Sequence, residues 1–146
     1  MLADEMKVLL GSTFAYYWKA HAFHMNVEGS DFYQYHKMLE DIYSAVYDTV
    51  DTIGEYIRTL DSYTPQSIAR LCELSIITEQ TKIPRAELMI TELQSDSDRM
   101  IELVNRVFQC ASSEGNENIA NYMAELLDIY KKYSWFLKST LKRARA

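Results

Sequence analysis

A chain of 146 residues, 48% hydrophobic and 25% charged, is sized for a single domain spanning 1–146 that buries its core without covalent staples. Its net charge of −6 weighs against a general nucleic-acid binder, and no apolar run approaches the roughly 20 residues of a membrane span. The two cysteines, Cys72 and Cys110, form no disulfide framework and no CxxC, and the start MLADEMK has no basic leader pattern, so the expectation is reduced thiols in the cytoplasm.

Helical periodicity runs through the chain. From Leu2 to about His24 apolar residues recur at spacings of three and four: Met6, Leu9, Leu10, Phe14, Tyr17 and Trp18. The run should stop at NVEGS, where Asn26 and Gly29 suit a helix end. Ser30 or Asp31 then caps a second helix that begins at Phe32 and continues through Leu39, Ile42, Val46, Ile53 and Ile57 to about Leu60. It contains no proline and only Gly54, and would span about 45 Å. DSYTP, 61–65, breaks it, and SIARLCELS, 67–75, reads as a short helix in a crossover connection. A third helix is expected from about Pro84 to Ala111 and, after the turn SSEGNEN, a fourth from about Ile119 to Leu141. Four long helices with the longest connection between the second and third predict an all-α, ferritin-like four-helix bundle with a short helix in that crossover.

All three histidines, His21, His24 and His36, fall within sixteen consecutive positions. A tight turn between antiparallel helices would bring His24 and His36 together, and Glu40, four after His36, shares its helix face. Two imidazoles and a carboxylate are a candidate site for iron or zinc. Further on, Asp48, Asp51 and Glu55 are spaced three, four and seven apart on one face. Yet His36 and Asp51 lie about 22 Å apart along one helix, against metal–ligand distances near 2 Å. One chain cannot close both halves on one ion, whereas two copies paired antiparallel along this helix could do so twice. The Glu-x-x-His pairs of a di-iron site within a single bundle are absent: Trp18, His21 and Tyr33 precede the histidines by three. Taken singly, a helical histidine is more often packed or solvated than a ligand, and an acidic face is usually only wet; the joint spacing balances those readings.

The stretch HMNVEGSDFYQYH resembles the signature of the Dps proteins, the mini-ferritins: His-x-Asn-Val-x-Gly, an aromatic, and a second histidine twelve residues after the first. His24, Asn26, Val27, Gly29, Phe32 and His36 match it, Glu40 matches the acid that follows, and Asp51 and Glu55 match Asp-x-x-x-Glu in the same helix. Lys19 with His21, LCELSIITE and Ser134–Leu137 extend the likeness over nearly the whole chain. The resemblance implies a hollow homo-dodecamer that oxidises ferrous iron, preferably with hydrogen peroxide, and stores ferric mineral. It implies iron ligands His24, His36 and Glu40 from one subunit and Asp51 and Glu55 from its twofold partner, with zinc a possible substitute. His21 and Asp48 are accessory candidates, though a packed or surface role is favoured for His21. Iron entry would use acidic pores, with Glu114, Glu117 and Glu125 as loosely aligned candidates.

Two departures stand out. Where the family usually has Trp after the first histidine, to trap stray radicals, this chain has Met25; the tyrosines, among them Tyr17, Tyr33, Tyr35 and Tyr43, are an alternative sink, with ordinary packing the favoured reading. The long basic N-terminal arm of DNA-binding members is replaced by a short acidic start. Only Lys138, Lys142, Arg143 and Arg145 offer a handle for DNA, and cations at a helix C-terminus explain them more simply. The competing readings are a Dps-like shell or DNA-protecting structural protein with a weak or non-iron site, and a plain helical interaction module.

Overall fold

A computed structural model describes residues 1–142 and contains six helices: α1 (Leu2–Asn26), α2 (Phe32–Tyr47), α3 (Val50–Thr59), α4 (Ile68–Leu74), α5 (Ala86–Ser113) and α6 (Glu117–Leu141). α1, the α2–α3 pair, α5 and α6 form the four rods of a bundle, with α5 packed along α6, α1 along α2 and α3, and the crossover helix α4 lying on α1. The core is apolar and continuous, with Leu9, Leu39, Ile42, Ile53, Leu93, Met100, Met123 and Leu126 fully buried. Two tyrosines cross its centre edge to face, Tyr16 and Tyr130, with ring centroids 5.4 Å apart. The Tyr16 hydroxyl pairs with Ser97 Oγ at 2.8 Å, so its burial leaves no polar atom unpaired; burial pushes both phenols well above the ordinary tyrosine range.

The helix starts are set by local chemistry. α1 leaves its last turn through extended Val27, and Gly29 at φ 124° supplies a backbone geometry that a side chain would resist. Asp31 occupies the N-cap position of α2, but neither it nor Ser30 makes the predicted capping bond; Phe32 N–H donates to the Gly29 carbonyl instead. Ser67 does cap α4, its hydroxyl accepting from Arg70 N–H at 3.0 Å. Pro84 precedes α5 rather than opening it, and α6 begins two residues earlier than expected.

The predicted single second helix is two. Its hydrogen-bond ladder keeps the regular Asp48 N–H to Ser44 carbonyl bond and breaks at Thr49, whose N–H bonds the Val46 carbonyl at 3.0 Å while its hydroxyl bonds the same oxygen at 2.7 Å. A buried threonine that bonds back to its own helix competes with the ladder and tightens the turn. Both residues keep right-handed helical dihedrals, so α3 carries on in the sense of α2.

One glycine is required by close approach. A Cβ on Gly11 would lie 2.4 Å from the Leu71 carbonyl oxygen, so only a glycine in α1 lets α4 settle directly on it.

Candidate metal centre

The turn at Val27–Asp31 folds α2 back on α1 and sets His24 against His36. Their rings are stacked, with centroids 3.7 Å apart and planes within 15°. Each Nδ1 lies 2.7 Å from the backbone carbonyl oxygen of the other residue. A carbonyl oxygen only accepts, so both Nδ1 atoms carry the proton and donate it. In the neutral ring this tautomer leaves the Nε2 lone pair free, the form in which imidazole binds a metal. The local reason is the helix end: the His24 carbonyl is among the last four of α1, which lack a partner within the helix. Phe32 stacks on His36 at 4.8 Å and 25°.

The remaining candidate ligands sit on the outer face of the α2–α3 rod. Glu40 is partly exposed, and one of its oxygens accepts from Lys37 Nζ at 3.2 Å. Asp51 and Glu55 are exposed on successive turns of α3. The neighbouring Asp51, by hydrogen bonding and by its charge, holds the Glu55 carboxyl above its ordinary range. Two like charges one helical turn apart make ionisation of the second carboxyl less favourable, and Arg58 lines the same groove. Asp48 lies exposed at the helix break. Among the described residues no three His, Cys, Asp or Glu side chains gather closely enough to hold a metal ion.

Asp51 and Glu55 border a groove of about 400 Å³ lined also by Leu10, Phe14, Gly54 and Leu71. Phe14 and Leu71 are shared with a larger apolar cavity of about 600 Å³ between α1 and the crossover, which Trp18, Phe23, Ile77 and Met89 also line. Exposed Trp18, Ile68 and Ile83 extend the apolar character of this side of the chain. Trp18 belongs to the periodic set of the first helix yet stands 52% exposed.

His21 is half-buried, and burial followed by the nearby His24 lowers its pKa below the ordinary value. Its Nδ1 is 2.8 Å from the Tyr17 hydroxyl, and its ring lies flat on Tyr43 at 3.8 Å and 8°. Met25 is exposed. Of the pore candidates, Glu114 is engaged inside the chain, accepting from Leu2 N–H at 3.2 Å and from the Cys110 thiol. Glu117 and Glu125 are exposed. Lys138 approaches Asp98 at 3.8 Å; Lys142 is exposed, and Arg143 and Arg145 lie outside the described residues.

Sequence reasoning missed one polar cluster. Lys19 is buried, with its Nζ 2.7 Å from Glu92 and 2.6 Å from Asp96, itself buried and bonded to Arg99 at 2.7 Å. It anchors α1 to α5 just before His21 and His24. A lysine on the apolar side of an amphipathic helix was the available signal, but its partners lie over seventy residues away.

A family model described as a ferritin-like domain matches residues 4–146. The DNA protection during starvation protein of Helicobacter pylori is 26% identical over 139 residues, covering 94% of this chain and 96% of that protein. Antigen TyF1 of Treponema pallidum subsp. pertenue is 30% identical over 130 residues, covering 86% of this chain and 72% of that protein. The crystal structure of Dps from Staphylococcus aureus superposes with a TM-score of 0.93 at 24% identity, over 98% of this chain and 96% of that one.

Proposed function

The chain belongs to the Dps family of ferritin-like proteins, and on that footing we propose that it oxidises ferrous iron at sites shared between two copies and stores the ferric product in a hollow dodecamer. The observation that carries this reading is the reciprocal lock of His24 and His36, which commits both Nδ1 atoms to backbone carbonyls and leaves both Nε2 atoms for a ligand at one turn. The same bonds that pair the two backbone carbonyls turn both Nε2 atoms away from them.

Ferrous iron, as substrate, would be held by His24, His36 and Glu40 of one copy and by Asp51 and Glu55 of the twofold-related copy. Along one rod His36 lies about 22 Å and Glu40 about 16 Å from Asp51, so an antiparallel neighbour has to supply the missing half. The apolar groove beside Asp51 and Glu55 supports burial of that surface by a second copy. Imidazole with hard carboxylates suits both ferrous iron and its ferric product, and zinc is acceptable to the same set. An arriving cation would relieve the repulsion between Asp51 and Glu55 and make both carboxylates ligands. Glu40 would exchange Lys37 for the metal.

With peroxide as oxidant, two ferrous ions give one electron each, the O–O bond breaks, and both oxygens leave as hydroxide. No hydroxyl radical is released. Such a protein protects DNA by consuming the reagents that damage it, which reconciles the name of the Helicobacter pylori relative with the formal charge of −6 on each copy here. No helix among the described residues is long and apolar enough to cross a membrane, and the proposed setting is the cytoplasm. Glu117 and Glu125 are the better pore candidates, since Glu114 is committed to the start of α1.

The test is anaerobic addition of ferrous iron and then peroxide to the metal-free protein, beside an Asp51→Ala/Glu55→Ala variant. Rapid ferric absorbance in a soluble assembly, lost in the variant, is the expected result. Equal rates, or immediate precipitation in both, would mean that the ligand residues are relics and that the fold serves a structural role.

A further inference from the structure

Leu39, Ile42, Val46, Thr49, Ile53 and Ile57 follow one another along the α2–α3 rod at spacings of three and four, and all of them are buried. Every member of this inward stripe is apolar except Thr49. A buried hydroxyl is destabilising unless it is bonded, and valine would fill the same shape without one. The bond that Thr49 makes goes to its own helix, to the Val46 carbonyl at 2.7 Å. The Thr49 N–H meets the same oxygen at 3.0 Å, three residues back. On either side the ordinary four-residue step is kept, by Asp48 N–H to the Ser44 carbonyl and by Ile53 N–H to the Thr49 carbonyl, each at 3.1 Å. The rod therefore takes one tightened step between the proposed ligands Glu40 and Asp51.

We infer that Thr49 is a positioning residue: its hydroxyl holds the tightened step, and that step sets the angle at which Asp51 and Glu55 stand relative to His36 and Glu40. This rests on the ferroxidase reading above. A residue in a three-residue turn advances about 120° around the axis, against about 100° in an α-helix. Relaxing one such step swings α3 by about 20° on α2. At a side-chain radius of about 6 Å each carboxylate then moves by about 2 Å. A ligand set tolerates about 0.5 Å and 10–20°.

Twofold pairing leaves no way around such an error. Each rod offers its imidazole half-site and its carboxylate half-site to the same neighbour, and the contact is made twice. Rotating a whole rod to restore Asp51 and Glu55 turns His36 and Glu40 out of place by the same angle. The angle has to be built into the chain, and a hydroxyl on the inward stripe fixes it without occupying the outer face where the ligands stand.

The experiment compares the wild type with Thr49→Val and Thr49→Ser as full-length, metal-free protein. Cobalt(II), which accepts the same imidazole and carboxylate donors, is titrated in and followed by its visible absorption. Assembly mass and melting temperature are read on the same samples before metal is added, and ferrous iron with peroxide is run in parallel. Thr49→Val keeps the shape and loses the bond. It should assemble and melt at or above the wild-type temperature, yet bind cobalt about tenfold more weakly and with a changed spectrum, the size of effect seen when a group that orients ligands is lost. Thr49→Ser keeps the hydroxyl and should match the wild-type affinity and spectrum. A fold-supporting role alone would move stability and metal affinity together. Three results would overturn this inference while iron oxidation by the wild type stands: a valine variant with wild-type affinity and spectrum, a serine variant that shares the loss, or a valine variant whose assembly or melting temperature falls along with its metal. Neither cobalt binding nor ferric iron in the wild type would overturn the ferroxidase reading and this inference with it.

Discussion

Replacing Lys19 by Met should cost more stability than any surface ion pair, and the structure sets the size. The Lys19 side chain is 5% exposed and its two carboxylate partners stand at 2.6 and 2.7 Å. Removing one member of a buried pair strands the other charge, at about 3–5 kcal/mol. Here the lower end applies. Asp96 keeps Arg99 at 2.7 Å, and Glu92 keeps Gln80 at 2.7 Å and a partly open side chain. A loss of about 3 kcal/mol corresponds to a melting-temperature fall of roughly 6–12 °C for a chain of this length. The assay is urea unfolding at one fixed protein concentration, because assembly adds its own stability. The double variant Lys19→Met/Asp96→Leu removes the stranded charge, lets Arg99 turn to water, and should regain most of the loss. A coupling of about 2 kcal/mol between the two sites is expected. A single-variant loss below about 1 kcal/mol, or additive effects in the double, would refute the claim that these charges are held away from water. Lys19 also fixes the turn of α1 ahead of His21 and His24, so Lys19→Met should require more iron for half-maximal oxidation.

Glu55→Gln should separate stability from function. The folded-state pKa of Glu55 is raised, so its relative contribution is fully present below the ordinary glutamate value and is lost as pH rises through the raised one. The metal-free variant should therefore match or exceed the wild-type melting temperature at neutral pH, lose that advantage in acid, and fail to be stabilised by added zinc. An unchanged pH profile would show that Asp51 and Glu55 do not repel each other. Gly11→Ala should destabilise by about 1–3 kcal/mol, since the new methyl meets backbone at Leu71 rather than a side chain that can move. The same denaturant titration reads it, and a neutral result would mean that α4 shifts freely on α1.

The sequence disclosed what depends on local period and spacing, and concealed what depends on distant partners. Apolar residues at three and four placed every rod of the bundle to within a few residues. The break at Thr49 escaped because threonine is an ordinary helix residue by pattern; only the bond from its hydroxyl to the Val46 carbonyl shows it competing with the ladder. Lys19 escaped because its burial depends on Asp96, far along the chain. The pairing of His24 with His36 was legible, since a glycine-containing turn between two helix ends leaves those positions little choice. The tautomer was not, because it depends on which carbonyls the turn exposes. The separation of His36 from Asp51 was legible from helix rise alone, and the bend at Thr49 does not remove it. Two imidazoles locked through Nδ1 at one end of the rod, and two mutually repelling carboxylates beside a groove at the other, are each incomplete as metal sites. The groove is what ties them together. An exposed carboxylate pair surrounded by water would gain little from Phe14, Leu10 and Leu71 beside it, whereas the same pair covered by a second copy would gain a dry wall and the missing imidazoles at once. On the proposed reading a second copy completes both half-sites, and its burial of the groove would account for the apolar surface left open on one chain.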